Sequence, residues 1–282
     1  MELKQFLIKT KLSKKEFISA GISLEELMEI ENDYKSRISF FNTIAVRLSS
    51  QLMKAKKVHS VKYRIKKPER LIEKIIRKRI DSTGPKINLA NYLLKVKDLI
   101  GIRALHLFKE DWESLNDFIC TTFPVYIKPL AYIRVGDPQA VISRYKKKGC
   151  IVKLHPHGYR SVHYRMKMVQ ERQPVLVELQ IRTLFEEGWS EIDHLLRYCD
   201  HDANPFISPY LEQFNKTVGY ADEMGSYILL LKKMTRMVQE KQEKSKETIK
   251  KLKEEINMLK ISEAKKKALQ DQILEISVGD SL

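Results

Sequence analysis

A chain of 282 residues with 43% hydrophobic and 31% charged side chains has the size and balance of one sizeable domain with appendages, or of two small ones. No apolar run approaches the ~20 residues a membrane span requires, and Met1-Glu2-Leu3-Lys4-Gln5-Phe6 opens no apolar leader, so a soluble cytoplasmic protein without a membrane partner is expected. The net charge of +16 favours anionic partners, while the scattered Cys120, Cys150 and Cys199 suggest neither a zinc site nor a disulfide framework.

In chain order, Ser13-Lys14-Lys15-Glu16 and Ser23-Leu24-Glu25-Glu26 both carry capping-box spacing. Residues 1–22 read as an N-terminal helical segment. The second box is expected to open one long amphipathic helix, with Leu27, Ile30, Tyr34, Ile38, Phe41 and Ile44 inward and an end near Met53. Lys54 to Arg79 holds twelve Lys and Arg against Glu69 and Glu73, a local balance of about +10 by simple charge counting. Within it, Val58 to Ile65 alternates as a strand and Glu69 to Ile80 reads as a helix. Asp81-Ser82-Thr83-Gly84-Pro85 has turn composition.

Asp98 to Leu107 reads as a buried strand, Lys109 to Cys120 as a helix and Val125 to Val135 as a further strand. Residues 141–157, with Arg144, Lys146, Lys147, Lys148 and Lys153, read as a basic, mobile connection. Strands follow at Tyr164 to Val169 and 175–182, then a helical block with Trp189, Glu191, Asp193, His194, Arg197 and Tyr198. Asn204-Pro205-Phe206-Ile207-Ser208-Pro209 marks a break. Beyond it, Leu211 to Met234 reads as a helix with Phe214, Val218, Ala221, Met224, Ile228 and Leu231 on its inner stripe. Residues 236–282 form a charged helical tail. Its Ile249, Leu252, Ile256 and Leu259, and then Leu269, Ile273 and Ile276, are spaced for either a weak solvated seam or a short coiled coil. Alternation of strands and helices followed by helix alone gives an α/β (α+β) class: a mixed sheet flanked by helices, with a C-terminal helical extension.

Three sets of side chains could carry chemistry. On the 175–182 strand, Glu178, Gln180 and Arg182 project from one side; alone, they also suit a wet edge strand. Along Tyr63-Arg64-Ile65-Lys66, strand alternation puts Arg64 and Lys66 on one face, and Lys74 lies on the next helix, cations suited to successive phosphates. Asp98 heads an apolar strand whose interior Arg103 needs an anionic or aromatic partner. Asp98 and Glu178 could converge on one Mg²⁺, whose preference for hard oxygen ligands lets it bind nucleotide phosphates as well. Neither a Walker A loop nor G-x-G-x-x-G is present. Gly158 before Tyr159 lets a loop turn and leaves the ring free to stack on a base.

Arg64-x-Lys66, Asp98-Leu-Ile-Gly-Ile-Arg103, Gly158-Tyr159-x-Ser161-x-His163, Glu178-x-Gln180-Ile-Arg182-Thr183 and Trp189-Ser-Glu191-Ile-Asp193-His194 stand in this order. Together they resemble the RelA/SpoT synthetase domain over residues 23–235, in the manner of stand-alone small alarmone synthetases. The resemblance implies a nucleotidyltransferase-like fold and transfer of pyrophosphate from ATP to the 3′-hydroxyl of GDP or GTP. A toxin-like relative acting on the 3′ end of tRNA, and a non-catalytic nucleic-acid-binding protein on the same scaffold, are the alternatives. By position, Arg64, Lys66 and Lys74 would hold the ATP phosphates and Arg103 the adenine nucleotide. Asp98 would ligate Mg²⁺, and Glu178 would ligate metal or act as general base. Tyr159 would stack on guanine, Gln180 would shape the acceptor site, and Ser161 and His163 would contact acceptor phosphates. His155 and His157 stand where many members carry Lys and Asn, and Lys153 and the Lys146–Lys148 run could supply the missing cation. A homo-oligomer such as a tetramer is the implied assembly.

Overall fold

A computed structural model describes residues 3–10, 12–81, 84, 86–170, 173–198 and 206–279. Ser82, Thr83 and Pro85 of the expected turn, the Asn204-Pro205 break and Cys199 lie outside them, as do the side chains of Arg197, Tyr198, Ile273 and Ile276. The chain divides into two compact units, Met1–Glu223 and Met224–Leu282.

The first unit opens with α1 (Leu3–Thr10) and α2 (Lys14–Ala20). Ser13 and Glu16 close a full capping box at α2. At α3 (Leu24–Ser36) only half of the box forms: Ser23 Oγ accepts the Glu26 amide at 3.1 Å, while Glu26 turns to the Leu89 amide. The expected single helix to Met53 is two, because the chain breaks at Arg37 before α4 (Ile38–Leu52). Arg37 there pairs with Asp33, which also accepts from Tyr92 Oη at 2.5 Å. The predicted apolar positions Leu27, Ile30, Tyr34, Phe41 and Ile44 are buried. Fully burying side chains of this size contributes about 1.5–3 kcal/mol each.

Six strands form one sheet: β1 (Ser60–Ile65), β2 (Ile100–His106), β3 (Leu130–Ile133), β4 (Ile151–Leu154), β5 (Ser161–Gln170) and β6 (Gln173–Thr183). Their spatial order is β1-β2-β6-β5-β3-β4, with β2/β6 and β3/β4 parallel and the other pairs antiparallel. This is the mixed sheet that the pattern of elements predicts. Between the strands lie α5 (Pro68–Asp81), the short α6 (Tyr92–Lys95), α7 (Asp111–Thr122) and α8 (Gln139–Lys147). The expected mobile connection over 141–157 is therefore ordered as a helix and an edge strand. Lys148 Nζ is tied to Asp117 at 2.7 Å and Cys150 is buried. Arg79, counted above in the basic run, points inward and donates to the backbone carbonyls of Ala20, Gly21 and Ile87.

One sheet face is apolar. Ile100, Ile102, Ala104, Val177, Leu179, Ile181, Tyr164 and Met166 are all buried in the core. Tyr164 Oη there accepts from Trp112 Nε1 at 3.1 Å and donates to Asn116 at 2.9 Å, so these buried polar groups are satisfied. The other face carries the polar partners of the alternation. The helix α9 (Leu184–Tyr198) follows β6 directly, and α10 (Ile207–Met258) begins the all-helical part. On α10, Leu211, Asn215, Val218 and Asp222 are buried, whereas Phe214, Met224, Ile228 and Leu231 of the expected inner stripe are exposed.

The second unit holds the rest of α10 and α11 (Glu263–Gly279). They meet where Lys266 and Gln270 donate to Asn257 and Ile256 is buried, while Leu252 and Leu259 stay exposed. Among the described residues no helix is long and apolar enough to cross a membrane.

Candidate active site

Strand register builds the site. Arg64, Gly101, Glu178 and Arg165 stand side by side on β1, β2, β6 and β5. Two residues further along each strand, and so on the same face, stand Lys62, Arg103, Gln180 and His163. A third row at the far edge is Ser161, Tyr132 and Lys153. A cleft of about 160 Å³ lies over the β1, β2 and β6 members of these two rows, lined by Arg64, Asp98, Gly101, Arg103, Glu178 and Gln180, with Glu191 and His194 of α9. Gly101 keeps its floor low: a methyl group there would already touch the Arg64 side chain, at 3.5 Å.

Asp98 sits in the turn just before β2. Lys66 Nζ, beyond the end of β1, reaches its Oδ2 at 2.9 Å, and Lys74 Nζ of α5 reaches its Oδ1 at 2.7 Å. Tyr34 donates to the Lys66 carbonyl at 2.6 Å and fixes the chain there. Burial opposes ionisation of Asp98, but the charges of Lys66 and Lys74 outweigh it and hold the carboxyl below its usual range. With two ammonium groups competing for one carboxylate, burial prevails at Lys66 and lowers its affinity for a proton.

Glu178 faces His163 Nδ1 at 3.4 Å and Gln180 Nε2 at 3.5 Å. Burial would raise its proton affinity. The hydrogen bond and charge of His163 outweigh that, and the carboxyl lies below its ordinary value despite the nearby Asp98. Arg103 finds its expected anionic partner twice, at Glu187 (3.0 Å) and at Glu191. Nothing in the local sequence identified these carboxylates as its partners; only the approach of α9 to β2 does.

Just before β5, Tyr159 is half-buried rather than free in a loop. Its hydroxyl meets His163 Nε2 at 2.9 Å and accepts from Arg182 Nη2 at 3.0 Å. The Arg182 guanidinium lies 5.0 Å from the ring centroid. Tyr132 and His155 complete the aromatic cluster, their rings 5.8 and 5.3 Å from that of Tyr159. Arg182 is itself buried, held by Gln180 Oε1 at 2.5 Å and Glu187 at 3.2 Å. Ser161 is not brought to the cleft: it is buried, and its hydroxyl donates to the Ile181 carbonyl. Lys153 is exposed on the edge strand, in register with Tyr132.

The carboxylate pair suits a hard divalent cation. Both Asp98 oxygens pair with lysine ammonium groups, Oδ1 with Lys74 at 2.7 Å and Oδ2 with Lys66 at 2.9 Å. Among the described residues no set of three His, Cys, Asp or Glu side chains converges on a point. That donor set matches Mg²⁺, which takes one or two carboxylates and completes its shell with water and phosphate.

A family model described as a region found in RelA / SpoT proteins matches residues 63–203. No curated protein matches the chain at a significant level. Among solved structures, the chain is similar to the small alarmone synthetase 1 from Bacillus subtilis, with a TM-score of 0.57 and 20% identity over 72% of this chain and 99% of that one. A GTP pyrophosphokinase family protein from Streptococcus pneumoniae gives 0.52 and 22% over 73% and 94%. The Bacillus subtilis protein bound to AMPCPP gives 0.50 and 19% over 72% and 99%. At these identities the likeness is one of fold. With the family match spanning the strands, the cleft and α9 alike, this chain belongs to the RelA/SpoT family.

Proposed function

We propose that the protein is an alarmone synthetase, transferring the β,γ-pyrophosphoryl group of ATP to the 3′-hydroxyl of GDP or GTP with release of AMP. The observation that carries this reading is that Asp98 and Glu178 line the same cleft, with Arg64 and Arg103 beside them. Arg103 would contact the adenine nucleotide of ATP, and Arg64, Lys66 and Lys74 would take its phosphates. A Bacillus subtilis relative of the same fold has been seen with AMPCPP, which supports an ATP-shaped donor here.

Lys66 and Lys74 both pair with Asp98. Phosphates arriving at the lysines would free that carboxylate, so donor binding and exposure of the metal ligand are one exchange. Asp98 and Glu178 would hold Mg²⁺. When bound, the ion would neutralise charge on the phosphates in flight.

Glu178, ionised at neutral pH, would accept the proton of the 3′-hydroxyl as its oxygen bonds to the β-phosphorus. The bond from that phosphorus to the bridging oxygen of the α-phosphate breaks, and AMP leaves. Gln180 and His163 orient Glu178; Tyr159 offers its ring to guanine, and Lys153 lies on the same acceptor-side edge. Positioning and charge neutralisation supply most of the catalysis in such transfers.

The basic run from Lys54 to Arg79 favours tRNA as a second acceptor reading. Incubation with labelled ATP and either GDP, GTP or deacylated tRNA separates the two. Label is expected on the guanine nucleotide, and label on tRNA alone would overturn the small-nucleotide reading.

A further inference from the structure

The loop carrying Tyr159 is fastened from behind by α10, an element outside the family match at 63–203. Gly158 adopts φ 72°, in the left-handed region. Its carbonyl accepts from Asn215 Nδ2 at 2.9 Å. The fit is close: a side chain on residue 158 would press on the Asn215 amide at 3.0 Å as well as straining the backbone.

Asn215 is only 3% exposed and is held in turn. Arg134 Nη1 donates to its backbone oxygen at 2.8 Å and to Oδ1 at 3.2 Å. The Arg134 side chain is pinned by Asp137 at 3.2 Å and lies on Gly219, where a methyl group would overlap the guanidinium. The residue after Tyr159 is anchored to the same set. Arg160 is buried, with Asp137 at 3.7 Å and Glu186 at 3.8 Å. Tyr159 therefore stands between two neighbours fixed to one buried polar network, and the direction of its ring is set by that backbone.

We propose that Asn215, backed by Arg134, is a positioning residue for the acceptor nucleotide: it holds Gly158 in the left-handed turn that sets the Tyr159 ring against Arg182 and its hydroxyl on His163. This rests on the reading of Tyr159 as the acceptor platform. Asn215 touches no reacting atom, and its effect passes through the loop.

The test is Asn215→Asp in the full-length protein. The carboxylate keeps the size and the contact to Arg134 but loses the donor to the Gly158 carbonyl and faces that oxygen with negative charge. The KM for GDP is expected to rise about tenfold, the scale of one lost buried hydrogen bond, with the KM for ATP within twofold. Amide hydrogen exchange over residues 155–160 should quicken, and restoring the amide at 215 should reverse both effects. Parallel increases in both KM values, or unchanged exchange in the loop, would overturn the proposal. A wild-type protein that transfers to no acceptor would sink the functional reading, and the acceptor role of Asn215 with it. Exchange would then still decide whether Asn215 holds the loop.

Discussion

Glu178→Gln exchanges a carboxylate oxygen for an amide group at constant shape and removes one negative charge from the cleft. The side chain is 19% exposed, and its neighbours His163 and Gln180 lie at 3.4 and 3.5 Å, long for hydrogen bonds. Little stability is at stake, about 1 kcal/mol or less. For a domain of this size that keeps Tm within about 4 °C. The rate has much more to lose. Removing a positioned base costs about 10²–10⁴-fold, or about 3–5 kcal/mol of barrier, before any loss of metal affinity. The assay is AMP release from ATP in the presence of GDP, on protein whose Tm and circular dichroism match the wild type. A correctly folded variant retaining more than a tenth of wild-type turnover refutes the role given to Glu178.

Asp98→Asn should abolish turnover and also destabilise the chain, because Lys66 and Lys74 would face each other without their carboxylate. We expect a loss of about 1–3 kcal/mol at pH 7 after solvent screening. The folded-state proton affinity of Asp98 is depressed, so its stabilisation is present above the ordinary carboxylate range and is lost as pH falls through the lowered value. Thermal melts of wild type and variant should converge in strong acid, and a constant gap between pH 3 and pH 7 would contradict the ion-pair account. Tyr159→Ala should raise the KM for GDP at least tenfold and that for ATP less than threefold; equal increases would argue against stacking on the acceptor base. Asp222, buried beside Glu186 and accepting from Thr183 at 3.0 Å, has its carboxyl pushed up to about 7 by burial and by the Glu186 charge. A raised value costs stability as pH climbs from the ordinary carboxylate range through 7. Asp222→Asn should therefore gain more in Tm at pH 8 than at pH 5, and the reverse order would refute the assignment.

The central strands were legible because burial on one face forces alternation. Val175, Val177, Leu179 and Ile181 turn to the core while Glu178 and Gln180 line the cleft. Asp98 and Arg103 were legible as polar residues at the head and in the interior of an apolar run. The break at Arg37 was hidden because Leu27, Ile30, Tyr34, Ile38, Phe41 and Ile44 keep helical spacing straight through it. β4 was missed because a four-residue edge strand with three residues outside the core carries almost no periodic signal. The partners of Arg103, the burial of the Ser161 hydroxyl and the Asn215 clamp depend on contacts between residues far apart in sequence. Asn215 meets Gly158 across 57 positions, and a polar residue at a helical position gives no local sign of such a partner.

The most direct measurement of the central claim is the fate of the phosphates when purified protein is given Mg²⁺, ATP labelled in its β- and γ-phosphates, and GDP. The two-carboxylate cleft predicts AMP in equal amount to a guanosine nucleotide that has gained both labelled phosphates at its 3′-oxygen. Release of ADP instead, or no GDP-dependent turnover from protein with an intact melting transition, would contradict it.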